Sequence, residues 1–286
     1  MRILTFDIED WFHILDHPPV KYPSQWESLQ PRIKTNVEQI LSLLEKHNQK
    51  ATFFILGWIA EKYPEVVSAI IKQGHEIGLH SYSHQLIYEQ KPEAFRADLR
   101  KSLSILNQFA KKPITKYRAP GFSVTPNSLW ALKILLEEGI STDASVFPAL
   151  RQHGGCRIFP GNEPFLIKYG DTTLKEFPIN TVSFKTINMV FSGGGYFRAI
   201  PYWLIKYLTN RSDYLMTYFH PRDFDASQPI LKSLPLHRKV LSYYGIKNTE
   251  KKLDKWLSNY NFIDLSTANK TIDWEQKKSI DLKKLI

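Results

Sequence analysis

Short apolar runs, each ending on a charged, polar or glycine residue, constrain this chain more than any other feature. Ile3-Leu4-Thr5-Phe6 delivers Asp7, Ala51 to Leu56 stops at Gly57, and the run through Ile77 and Leu79 ends at His80. Lys116-Tyr117 leads into Arg118, Ile140 leads to Asp143, and Tyr214 to Phe219 delivers His220. Between these runs lie apolar stripes at helical period: Val37, Ile40, Leu41 and Leu44, then Val67, Ile70 and Ile71 after Pro64. Leu99, Leu103 and Leu106 follow Pro92, and Leu132, Leu135 and Leu136 follow Thr125-Pro126. Continuous apolar runs suit strands covered on both faces, and the stripes between them suit helices that do the covering. Repeated strand–helix alternation predicts an α/β chain of parallel βα units.

Turn and cap signals fill in the rest. Thr35 and Glu38 have the spacing of a capping box for the first long helix. Two extended pieces, Phe165 to Tyr169 and Leu174 to Phe177, flank a Gly-Asp turn. The expected organisation is one domain over residues 1–286, with 270–286 a charged tail that frays on the surface. The formal charge is +10, yet lysine and arginine are scattered among acids with no basic block, so nucleic-acid binding is not expected. An anionic glycan or a membrane-proximal substrate suits that charge. Cys156 stands alone, which excludes an intrachain disulfide and a cysteine metal cluster. Apolar runs fall short of the roughly 18 residues that a membrane span needs, so stable membrane insertion is not expected. The N-terminus turns acidic at Asp7, too soon for a secretory leader, and a cytoplasmic protein is expected.

Asp7, His80, Arg118, Asp143 and His220 all stand at the ends of apolar runs. In a closed or nearly closed parallel sheet those ends share one rim, where active sites are built. His80 and His84, four apart on a tight turn, can give two ligands to a divalent metal. A third must come from elsewhere, and Asp7-Ile8-Glu9-Asp10 is the best source. Each signal alone has a plainer reading: a solvated turn for the histidine pair, a turn cap for Asp7, a structural ring for His220.

Together, and in this order, the motifs resemble those of the NodB-homology polysaccharide deacetylases, carbohydrate esterase family 4. The first is Thr5-Phe6-Asp7-Ile8-Glu9-Asp10-Trp11, the second His80-Ser81-Tyr82-Ser83-His84, the third Arg118-Ala119-Pro120-Gly121-Phe122. Asp143-Ala144-Ser145 takes the place of the fourth, and Phe219-His220-Pro221 matches the fifth. Gly193-Gly194-Gly195-Tyr196-Phe197-Arg198 and Pro221-Arg222-Asp223-Phe224-Asp225 are similar to a branch associated with bacterial exopolysaccharide and lipopolysaccharide biosynthesis.

The resemblance, with the alternation, implies a distorted (β/α) barrel of about seven parallel strands. It implies a metal-dependent hydrolase that removes an acetyl group, N-acetyl above all, from a polysaccharide, an oligosaccharide or a lipid-linked sugar. His80, His84 and either Glu9 or Asp10, with Asp10 favoured, would hold one divalent ion, zinc first. Ile8 separates Asp7 from that ligand, where the family places two adjacent aspartates. Asp7 would be the general base and His220 the general acid. Arg118 would orient Asp7, and Asp143 would hold the His220 ring. The alternatives are a non-catalytic glycan-binding relative and a hydrolase of a small non-sugar amide.

Overall fold

A computed structural model describes residues 1–15, 17–149, 153–184 and 187–286. The first strand has two parts, β1 (Arg2–Ile3) and β2 (Thr5–Ile8). Beside it come β3 (Thr52–Ile55), β4 (Glu76–Leu79), β5 (Lys116–Tyr117) and β6 (Thr142–Asp143), each parallel to the one before. β7 (Phe165–Tyr169) and β8 (Thr172–Glu176) form an antiparallel hairpin turned at Gly170, where φ is +60° and a side chain would be strained. β8 lies parallel to β6, with Asp143 opposite Glu176. A small antiparallel pair, β9 (Val182–Phe184) and β10 (Ile187–Met189), stands apart from this sheet. β11 (Leu215–Met216) runs parallel to β1, and its continuation bridges Phe219 to Phe6.

Among the described residues, successive parallel neighbours run β8-β6-β5-β4-β3-β1/β2-β11, a series of seven. Side chains span from the β8 side to β11: Asn180 Oδ1 accepts from the Met216 amide at 3.0 Å, and Tyr214 Oη donates to the Pro178 carbonyl at 2.8 Å. Among the described residues no backbone ladder joins β8 to β11.

Helices cover the outside. α1 (Pro23–Trp26) and α2 (Ile33–Lys46) precede β3; α3 (Gly57–Lys62) and α4 (Pro64–Lys72) link it to β4; α5 (Pro92–Leu106) and α6 (Trp130–Glu137) make the next two crossovers. α7 (Gly194–Ala199) and α8 (Tyr202–Asn210) lead to β11, and α9 (Leu236–Tyr243), α10 (Thr249–Asn259) and α11 (Leu265–Thr271) follow it. The stripe Val37, Ile40, Leu41 and Leu44 is buried as the period requires. Strand alternation sorts the first strands into two layers. Phe6, Ile8, Phe53 and Ile55 join the larger core, whereas Ile3 and Phe54 join a second one with Ala144, Phe177 and Met216. Thr5 and Asp7, alternating with Phe6 and Ile8, thus point the other way, inward.

Two expectations are corrected. The 270–286 tail does not fray: β12 (Ser279–Asp281) pairs parallel to β7, and Leu282 is fully buried. Its high charge concealed an alternating strand whose Ile280 packs on the main core. Thr35 caps nothing either, because α2 already begins at Ile33 and Arg32 occupies the N-cap position.

Candidate metal centre and active site

The strand ends do converge. β2 ends at Ile8, so Glu9 leaves the strand beside Asp7; β4 ends at Leu79, so His80 follows at once. The turn that brings His84 back to His80 passes through positive φ at Ser81 (66°) and at His84 itself (54°), conformations disfavoured for side-chain-bearing residues. Asp98 of α5 holds it there, accepting from the Tyr82 amide at 2.7 Å and the Ser83 amide at 2.9 Å.

Glu9 Oε1 lies 3.0 Å from His80 Nε2 and 2.9 Å from His84 Nε2, all three side chains buried. His80 Nδ1 is 2.8 Å from the Arg118 carbonyl, which can only accept, so Nδ1 carries the proton. Nε2 of the same ring then faces a carboxylate oxygen. A contact at that distance is satisfied by a proton on the ring, whose pKa the Asp7 and Glu9 charges raise against burial, or by a cation that takes the proton's place. Burial opposes ionising Glu9, yet His84 and His220 outweigh it and hold the carboxyl well below its ordinary range. Two imidazoles and a carboxylate within 4.8 Å of one another, with one ring oriented by a backbone carbonyl, fit a divalent ion.

Asp10 is not part of this group, which corrects the preference for it over Glu9. The His13 amide bonds the Asp10 carbonyl at 3.1 Å, and His13 Nδ1 accepts the Asp10 amide at 2.8 Å, closing a tight turn. That turn sends the Asp10 side chain to the start of α2. Its oxygens accept from the amides of Trp11 (2.7 Å), Arg32 (2.8 Å) and Ile33 (3.0 Å). A carboxylate there satisfies orphan donors and faces the positive helix end. His13, passed over in the sequence, is what turns Asp10 away. Its ring is wedged against Trp26 and Trp58 at 4.2 and 5.6 Å, and burial drives its pKa well down.

Arg118 is fully buried and crosses the interior. Nη1 donates to Asp7 Oδ1 at 2.8 Å and Thr5 Oγ1 at 2.7 Å, Nε donates to the Ala144 carbonyl at 3.2 Å, and the guanidinium lies 4.3 Å from the Phe54 ring centre. Asp7 is thereby fixed by one oxygen, leaving Oδ2 facing His220 Nε2 at 3.9 Å. His220 Nε2 is also 3.8 Å from Glu9 Oε1.

The partner of the His220 ring is Asp223, not Asp143. Pro221 starts a single 3-10 turn that folds the chain back, so Asp223 Oδ2 accepts the His220 amide at 2.9 Å and meets Nδ1 at 3.2 Å. Arg198, from the glycine-rich motif, donates to the other Asp223 oxygen through Nη1. The spacing of His220 and Asp223 around a proline was the signal for this turn. Asp143 is occupied elsewhere: Oδ1 accepts from Ser145 Oγ at 2.5 Å, and Ser145 Oγ in turn accepts the Ala119 amide at 2.8 Å. It faces Glu176, whose carboxyl is pushed well above its ordinary range by burial and by the Asp143 charge. Trp11 and Phe122, open between core and sugar subsite, are both buried. Gly193 approaches β11 rather than a groove: a Cβ there would lie 1.9 Å from the Tyr218 carbonyl oxygen.

Residues 3–135 match the family model described as polysaccharide deacetylase. They belong to the NodB-homology polysaccharide deacetylases. Residues 144–270 match a domain of unknown function (DUF3473), and its strands β8 and β11 complete the sheet that the deacetylase segment begins. A peptidoglycan-N-acetylglucosamine deacetylase of Bacillus cereus is 40% identical over 94 residues, 32% of this chain and 34% of that protein. Chitin deacetylase 1 of Saccharomyces cerevisiae is 32% identical over 91 residues, 32% of this chain and 30% of that protein. The chain thus spans about a third of the length of these relatives. A crystal structure from Mycobacterium smegmatis, described as that of a polysaccharide deacetylase, superposes with a TM-score of 0.65 over 97% of this chain and 91% of that one, at 17% identity. It shares the fold.

Proposed function

We propose that this protein is a metal-dependent deacetylase that hydrolyses the N-acetyl group of an amino sugar in a polysaccharide, an oligosaccharide or a lipid-linked intermediate of cell-surface polysaccharide assembly. The observation that carries this reading is the Glu9 carboxylate set between His80 Nε2 and His84 Nε2, with Asp7 and His220 on the same rim. Deacetylases of peptidoglycan and chitin among the relatives support the substrate class.

Glu9, His80 and His84 would hold the ion, and two imidazoles with one carboxylate suit zinc. When bound, such an ion acidifies water and polarises the acetyl carbonyl. Asp7 Oδ2 takes the proton of the attacking water, while Arg118 keeps Oδ1 occupied and the carboxylate aimed. His220 Nε2 gives a proton to the departing nitrogen. Burial lowers the His220 pKa against the pull of Glu9 and Asp7, which makes its charged form a stronger acid. Asp223 on Nδ1 steadies that charged form and fixes the ring plane. A non-catalytic role is disfavoured by the survival of both proton-transfer groups beside the ligand set.

The test is acetate release from N-acetylated chitooligosaccharides, peptidoglycan fragments and acetylated exopolysaccharide. Release that stops on chelation and returns with zinc supports the proposal. A folded, metal-replete protein that releases no acetate from any of them sinks it.

A further inference from the structure

We propose that the outward face of α9 docks on an anionic lipid bilayer and holds the mouth of the site against a membrane-borne acetylated sugar; only the sugar rests on the reading above. Leu236, Val240 and Tyr244 follow one another at intervals of four, a single stripe on a helix, and are 77%, 54% and 61% exposed. Ile230, 63% exposed, belongs to the segment that meets α9, where the next amide, that of Leu231, donates to Tyr243 Oη at 3.0 Å. A helix of a globular protein normally turns such a stripe inward. Arg238 of the same helix instead turns to the body of the protein, where Nη2 donates to the Leu15 carbonyl at 2.9 Å.

Charge selects the occupant. Between Asp225 and Glu250 the chain carries Lys232, Arg238, Lys239 and Lys247 and no acidic residue. A short basic helix with a protruding aliphatic and aromatic stripe is the pattern of helices that lie in the headgroup layer. Each cation near an anionic surface raises partitioning by about fivefold. One stripe of four side chains is much less than a stable protein interface buries, but it suffices for shallow insertion. No helix among the described residues is long and apolar enough to cross a membrane, so the contact is peripheral.

The face is also tied to the site. Arg198 donates to the Tyr244 carbonyl at 3.1 Å and the Ser242 carbonyl at 3.2 Å, while its Nη1 holds Asp223, the partner of His220. Arg238 secures Leu15, in the loop that follows Glu9 and Asp10. A membrane seated on α9 would therefore lie at the rim, suited to a sugar carried on a lipid.

The experiment is co-sedimentation of the full chain with vesicles of equal parts phosphatidylglycerol and phosphatidylcholine, against phosphatidylcholine alone. Binding is expected to the anionic vesicles, weakened as salt shortens the screening length. Leu236→Ser/Val240→Ser should lower partitioning by about tenfold or more, and Lys232→Gln/Lys239→Gln should lower it and flatten the salt dependence. Both variants should melt with the parent protein. Equal binding by parent and variants, or no binding by the parent, overturns the proposal. Self-association of the parent that the serine variant abolishes, without vesicle binding, makes the face a contact between copies and also overturns it. Vesicle binding by a protein that releases no acetate from any glycan keeps the docking face and rejects the deacetylase reading; acetate release without vesicle binding does the reverse.

Discussion

Asp10→Ala separates the two acids that the sequence left open. Asp10 is buried and accepts three amide hydrogen bonds, from Trp11, Arg32 and Ile33, in place of an N-cap residue for α2. A hydrogen bond to a charged group contributes about 1.5–3 kcal/mol. Burial pushes the Asp10 carboxyl above its ordinary pKa against those donors, so its charge is held at some cost and the low end applies. Arg32 is half-buried, and its amide regains water when the carboxylate is gone. Counting Trp11 and Ile33 alone gives a loss of about 3 kcal/mol. A chain of 286 residues unfolds with an entropy near 0.6 kcal/mol/K, so Tm should fall by about 5 °C. The zinc content of the folded variant should equal that of the parent. Thermal melting by circular dichroism and elemental analysis of the same sample check both. An unchanged Tm with zinc lost would refute the reasoning and make Asp10 the ligand.

Two more outcomes follow from the same geometry. Asp223→Asn should lower kcat by roughly 10²–10⁴-fold with KM little changed, because it strips the support of the His220 proton-transfer group; Asp143→Asn should cost stability but leave turnover per folded molecule within about tenfold. Steady-state kinetics on both decide it, and the reverse order would return the ring-holding role to Asp143. The second concerns acid stability. His75, packed against Phe53, has its pKa lowered from 6.5 to about 4 by burial and by Lys50. The unfolded chain binds that proton near pH 6.5 and the folded chain resists it, so stability is full above 6.5 and declines on acidification until about pH 4. After discount for partial solvent access the loss is about 2 kcal/mol. Urea midpoints at several pH values should show a slope in that window that is shallower in His75→Leu; identical slopes would remove His75 as the cause.

Strand ends were legible because burial on both faces writes an apolar run, and the polar residue that ends it marks the rim. Asp7, His80, Arg118 and His220 therefore read as neighbours from the sequence. What the sequence hid was local chain direction. Glu9 and Asp10 are adjacent acids, and a turn locked by the buried His13 decides which one faces the histidines. Asp223 and Asp143 differ likewise: a proline-started turn returns one to His220, while Ser145 and Glu176 occupy the other. The helix cap failed for a related reason, since the α2 donors are met by Asp10 from far back in the chain, beyond any capping-box spacing. The order of the tail is hidden because composition reports charge, whereas β12 needs only an alternating residue, Ile280, and a free strand edge on β7.

The most direct measurement of the central claim is calorimetric titration of zinc into metal-stripped Glu9→Gln beside the parent and Asp7→Asn. The account predicts one tight site in the parent and in Asp7→Asn, the latter with acetate release nearly abolished, and a site weakened by about 100-fold or lost in Glu9→Gln, since two imidazoles alone hold zinc poorly. Zinc bound as tightly by folded Glu9→Gln as by the parent would contradict it.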